Sequence, residues 1–236
     1  MTRPLPANIS TVIFDVGNTL HHLDHAFIAA AVSRHSHAVT AHEVAVAEYT
    51  AKAAIDALFR ARASGSDETR RVSYFGTILD TLRVTPSATT PIIEALHVED
   101  GRASLWRVMQ PETPSVLAEL RRRGFRLAVV SNADGRVAGS LAASGLADHF
   151  VAIIDSYVVG VEKPDRRIFQ LALQACGAAP ADAVYVGDIY EIDVLGARRA
   201  GIEPLLIDPL GGYGAVDCHR IASLAELIDL LPSKAA

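Results

Sequence analysis

Residues 183–201 read AVYVGDIYEIDVLGARRAG. The first five, Ala183–Gly187, are apolar on consecutive rather than alternate positions and stop at a carboxylate, Asp188. A short run of that kind suits a strand covered by helices on both faces. Glu191 to Gly201 then carries a helical pattern closed by glycine, the usual residue just past a helix end. The stretch is one strand–carboxylate–helix unit, and it predicts a parallel α/β sheet.

The unit recurs on either side. Thr11–Val16, Arg126–Ser131, Phe150–Ile154 and Glu203–Ile207 are further apolar runs of strand length. Helices are expected from Thr113-Pro114 to Gly124, from about Asp134 to Gly145, and from Pro164 to Cys176. The first of these reads as a Thr cap with Pro in the first turn. Strands and helices in alternation give βαβ units, hence a parallel, Rossmann-like core.

Residues 21–105 break the rhythm with helical patterning and no convincing strand. Residues 42–63 hold neither Gly nor Pro, and Thr40 and Glu43 have capping-box spacing. More helix is expected over 67–83 and 91–105. The organisation expected is therefore a core of 1–20 and 106–236 with an all-helical cap domain, 21–105, inserted after the first strand.

Composition narrows the function classes. The 236 residues are 50% hydrophobic with a formal net charge of -5, which offers no electrostatic footprint for nucleic acid. Arg121-Arg122-Arg123 and Arg198-Arg199 fall near expected helix ends, where cations meet the helix dipole. Two cysteines, Cys176 and Cys218, do not indicate a disulfide framework. The start, MTRPLPANIS, lacks a signal-peptide core, and no apolar run has membrane-spanning length. A cytoplasmic protein with no membrane or nucleic-acid partner is expected; no oligomeric state is assigned.

In an open parallel sheet, ligands bind beyond the carboxyl ends of the strands. Four polar groups fall there: Asp15 after the first strand, Ser131-Asn132 after the second, Lys163 after the third, and Asp188 after the fourth, with Asp193 five residues on. Singly each has an ordinary reading: Ser131-Asn132 or Asp188 as a helix cap, Lys163 as a solvated side chain. Jointly they place carboxylates, a hydroxyl and an amine in one crevice.

FDVGNTL (14–20), VVSNADG (129–135), GVEKPDRRIF (160–169) and VGDIYEIDVLGARRAG (186–201) resemble the haloacid dehalogenase superfamily of hydrolases, over nearly the whole chain. The resemblance implies a Rossmann-like core, a helical cap, and for most members a magnesium-dependent phosphatase. It implies Asp15 as a nucleophile forming an aspartyl-phosphate, Ser131 and the backbone at Asn132 as holders of a phosphoryl oxygen, and Lys163 as the neutralising cation. Magnesium (Mg2+) would be held by Asp15, the Gly17 carbonyl and Asp188, with Asp193 in or behind that set. The chemistry is consistent, since a carboxylate attacking an anionic phosphate needs cations to offset repulsion.

Gly17 departs from the family pattern, in which a second Asp two residues after the nucleophile protonates the leaving group. That function is worth roughly 10²–10⁴ in rate. His21, His22 and His25 are nearby candidates to supply the proton, their ordinary pKa lying near neutrality. As zinc ligands they are better read as surface or hinge residues, with Asp24 capping the first cap helix. Gly211-Gly212-Tyr213-Gly214 reads as a turn, and Phe59, Tyr74, Phe75 and Trp106 as packing. The expected function is metal-dependent hydrolysis of a small phosphorylated metabolite. Alternatives are a 2-haloacid dehalogenase, a phosphatase-like binding protein disabled at Gly17, and a receiver-type phospho-acceptor, which the 85-residue insertion disfavours.

Overall fold

The computed structural model describes residues 5–63 and 65–231. In chain order the elements are β1 (Thr11–Phe14), β2 (His22–Leu23), α1 (His25–His35), α2 (Ala41–Arg60), α3 (Asp67–Thr81), α4 (Pro86–Arg102), β3 (Trp106–Val108), α5 (Thr113–Arg122), β4 (Arg126–Ser131) and α6 (Val137–Ala143). They continue with β5 (Ala152–Asp155), α7 (Ser156–Val159), α8 (Arg166–Cys176), β6 (Ala183–Gly187), α9 (Leu195–Arg199), β7 (Glu203–Ile207), β8 (His219–Ile221) and α10 (Leu227–Leu230). The chain divides into two compact units, Leu23–Val108 and the remainder.

The larger unit is an α/β sandwich around a six-stranded sheet of order β5-β4-β1-β6-β7-β8. Every pairing is parallel. Phe14 lies in register with Val129 of β4 and Val186 of β6, so the ends of these three strands are level. Alternate side chains face opposite ways. Val12, Phe14, Val129 and Val186 pack with Val116, Leu117 and Leu120 of α5, whereas Ile13, Val130 and Tyr185 pack with Ile168, Phe169 and Leu173 of α8. Burial on both faces explains the unbroken apolar runs. Both cysteines are buried and unpaired.

Several local expectations change. The edge strand β8 lies in a segment too polar to read as a strand; its outward Arg220 interrupts two buried residues. The stretch 21–105 is not free of strand, because His22–Leu23 forms a two-residue ribbon with β3. A partner strand as distant in the sequence as Trp106–Val108 leaves no local periodicity to detect. Thr113 does not cap α5: Glu112 takes the cap position without a side-chain bond, and the Thr113 hydroxyl is buried without a partner. Helix α4 begins at Pro86, not 91, and runs through Pro91.

Among the described residues, the regular structure of the smaller unit is helical apart from Leu23 and β3. The capping box is formed, with Glu43 N donating to Thr40 Oγ1 (3.2 Å) and Thr40 N to Glu43 Oε2 (2.7 Å). Asp24 caps α1 by accepting from Phe27 N. Tyr74, Phe75 and Trp106 form an aromatic cluster with centroids 5.8–6.1 Å apart. Buried Glu48 accepts from the Tyr74 hydroxyl and lies 2.7 Å from His25 Nε2.

Candidate active site

Asp15, Lys163, Asp188 and Asp193 all belong to the larger unit, at the carboxyl edge of the sheet. Asp15 is the first residue past β1, and its N–H donates to the Val186 carbonyl (2.8 Å), which keeps the backbone in the sheet up to the carboxylate. The chain then turns around one atom, the Val16 carbonyl, which accepts from the N–H groups of Thr19, Leu20 and His21. Asn18 adopts a left-handed conformation (φ 53°), which asparagine tolerates better than most residues. Its side-chain amide donates to Asp188 Oδ2 (3.2 Å), tying the turn after β1 to the end of β6.

Lys163 arrives from 148 residues away. Its backbone is clasped by Asn132: Lys163 N donates to Asn132 Oδ1 (2.7 Å), and Asn132 Nδ2 to the Lys163 carbonyl (3.0 Å). Its ammonium is buried and donates to Asp15 Oδ1 (2.7 Å), Asp193 Oδ1 (2.8 Å) and the Tyr185 hydroxyl (2.8 Å). Asp193 Oδ2 accepts from the N–H groups of Asp188 (3.1 Å) and Ile189 (2.9 Å). This bracing requires Gly187: a Cβ there would sit 2.4 Å from Asp193 Cγ.

Asp15, Asp188 and Asp193 offer oxygens within 4.8 Å of one another, all on buried residues. The Lys163 ammonium is bonded to two of these three carboxylates, Asp15 and Asp193, so carboxylates outnumber it in the cluster. The electrostatics register the imbalance. Burial, with Asp193 and Asp188 adding to it, pushes the Asp15 carboxyl up to about 7 against the pull of Lys163. Burial would push the Lys163 ammonium down, but Asp15 and Asp193 outweigh it and hold it above its ordinary value. An all-oxygen, over-acidic cluster fits a hard divalent cation.

The structure thus gathers Asp15, Lys163, Asp188 and Asp193 by direct contact, and Asn132 through the backbone of Lys163. Ser131, buried at the end of β4, pairs in register with Asp155 of β5. Gly17 is half-buried in the turn after Asp15. Sequence reasoning missed Asn18 and Tyr185. Asn18 lay inside the quoted FDVGNTL and invited attention as a non-glycine turn residue; Tyr185, in a buried strand, gave no signal beyond a hydroxyl that must find a partner.

Of the three histidines, His21 is placed otherwise than expected. His21 is not a surface residue: it is 2% exposed, with Nε2 2.9 Å from Ser144 Oγ and Nδ1 3.3 Å from Ser140 Oγ, both on or beside α6. Burial pushes its pKa below the ordinary value. His22 lines a cleft with Gln110, Glu112 and Ser223, and His25 pairs with Glu48 in the smaller unit. The glycine-rich loop is a turn organised by Asp208, whose carboxylate accepts from Gly212 N and Tyr213 N.

The family model for haloacid dehalogenase-like hydrolases matches residues 9–201. The chain belongs to the haloacid dehalogenase-like hydrolase family. It is 37% identical over 150 residues to haloacid dehalogenase-like hydrolase domain-containing protein 3 of Homo sapiens, covering 61% of this chain and 59% of that protein. It is 40% identical over 124 residues to a phosphoserine phosphatase of Thermus thermophilus, covering 52% and 48%. These matches span about half to three-fifths of the relatives' own length. Among solved structures, the magnesium-bound HAD-hydrolase YfnB of Bacillus subtilis superposes with a TM-score of 0.68 over 94% of this chain and 98% of that one. At 18% identity it speaks for the shared fold alone.

Proposed function

We propose that this hydrolase is a phosphohydrolase acting on a small phosphorylated metabolite, with Asp15 as nucleophile. The observation that carries the reading is the Lys163 ammonium clamped between Asp15 and Asp193, beside Asp188, at level strand ends. The similarity to a phosphatase over half the chain supports it. With Oδ1 held by Lys163, the other oxygen of Asp15 attacks phosphorus; the P–O ester bond breaks and an aspartyl-phosphate forms. Water then attacks phosphorus, releasing inorganic phosphate and restoring the carboxylate. Ser131 and the Asn132 backbone hold a phosphoryl oxygen, and Lys163 offsets its charge.

The cofactor proposed is magnesium, on Asp15, Asp188 and the Gly17 carbonyl, where it would neutralise phosphate charge. Asp193, whose two oxygens already accept from the Lys163 ammonium and the N–H groups of Asp188 and Ile189, holds Lys163 and the turn at 188–189 rather than the ion. The acidic cluster also weighs against a 2-haloacid dehalogenase, since it would repel a haloacid carboxylate and such chemistry needs no metal. The inserted helical unit is proposed as the cap that selects the ester.

A panel of phosphorylated metabolites with magnesium chloride tests the reading. Turnover that disappears in Asp15→Asn is expected; wild-type rates in that variant would rule out the nucleophile. Gly17 favours one second reading, a binding protein without turnover. It requires that neither the parent nor Gly17→Asp hydrolyse any ester on the panel.

A further inference from the structure

Tyr185 lies outside the constellation read from the sequence. It is fully buried in β6, with its ring edge-on to Phe169 at a centroid distance of 5.0 Å. Its hydroxyl is 2.8 Å from Lys163 Nζ, 3.1 Å from the Val130 carbonyl and 3.1 Å from Asp193 Oδ1. An ammonium has three protons and no lone pair, so the hydroxyl accepts from Lys163 and gives its own proton to Val130 or Asp193. The three N–H groups of Lys163 therefore match three oxygens: Asp15, Asp193 and Tyr185.

We propose that Tyr185 is a positioning residue for Asp15. By holding the third N–H of Lys163, its hydroxyl keeps the ammonium on Asp15 Oδ1, so that this oxygen stays bound and the other is presented for attack. The proposal rests on the phosphohydrolase reading. Two carboxylates alone leave a four-carbon side chain free to slide between them, and a bound phosphate would draw the ammonium away from Asp15. A neutral acceptor held in place by the buried strand β6 and by its ring contact with Phe169 opposes that movement without adding to the excess of negative charge. It also spares the cluster a buried N–H without a partner, which is costly for a charged donor.

Tyr185→Phe tests this, because it retains the ring and its packing on Phe169 and removes only the hydroxyl. Two measurements are made on protein whose melt remains cooperative. With p-nitrophenyl phosphate and magnesium chloride, kcat is expected to fall roughly ten- to a hundredfold with KM little changed, as for loss of a hydrogen bond to a charged group. By NMR on 15N-lysine-labelled protein, the Lys163 NH3+ resonance, identified by its loss in Lys163→Met, is expected to shift and exchange faster with water. A parental kcat in Tyr185→Phe, or an unchanged resonance, overturns the proposal. If the parent hydrolyses no phosphate ester, the phosphohydrolase reading fails, and the resonance still decides whether Tyr185 holds Lys163.

Discussion

At the scale of single residues the phosphohydrolase reading turns on Gly17, where the resemblance implies an acid and this chain has none. His21 is not a ready substitute: both ring nitrogens face serines, and burial favours its neutral form. In the phosphohydrolase reading the leaving alcohol then departs on its own acidity or with a proton from water. Hydrolysis rates should fall steeply as the leaving group becomes more basic, so aryl and anomeric phosphates should outpace primary alkyl phosphates. A series of esters graded by leaving-group pKa measures the slope; a shallow slope that steepens on His21→Gln would return the acid role to His21. Gly17→Asp should raise alkyl-phosphate turnover by up to roughly 10²–10⁴ if the missing acid is the only defect.

At the scale of elements, the junction of β6 with the turn of π-helix at Tyr190–Val194 holds the site together. Asp193 returns over Gly187, and no Cβ fits between them. Gly187→Ala should therefore displace Asp193 and loosen Lys163, costing about 1–3 kcal/mol as an overpacked site and most of the activity. Denaturant melts and kcat check this, and parental values of both would show that the contact is slack. The smaller unit offers a pH test. Burial pushes Glu48 up, but His25, Lys52 and Tyr74 outweigh it and hold the carboxyl at about 2, against an ordinary 4.5. A lowered folded-state pKa stabilises above the unfolded value, and that stability is lost as pH falls from about 4.5 toward 2, up to about 3 kcal/mol in all. Melting curves across that window should show the loss, and Glu48→Gln should flatten it.

At the scale of the whole molecule, the carboxylates gathered at one sheet edge would link binding of a cation there to stability. In the magnesium reading, ligand bound only by the folded state stabilises it by about 2.7 kcal/mol at a hundred times Kd, or roughly 5–10 °C for a chain of this size. Saturating magnesium should raise Tm near neutral pH, and Asp188→Asn should abolish most of the rise; a Tm indifferent to magnesium in the parent would contradict the cation site. The α/β sheet was legible in the sequence because burial on both faces leaves a local mark, consecutive apolar residues ending in polar ones, as at Ala183–Gly187 and Arg126–Ser131. Asp15, Lys163 and Asp188 could be named for the same reason, since each follows such a strand or its loop. The ribbon of His22–Leu23 with β3, the two serines on His21, and the Lys163–Tyr185 and Asn18–Asp188 bonds could not be read that way. Each joins residues 22 to 170 positions apart, and periodicity reports which face of an element is buried, not which distant atom lies against it. Local chemistry determined the strands and the polar groups at their ends; tertiary packing decided which oxygen each N–H meets.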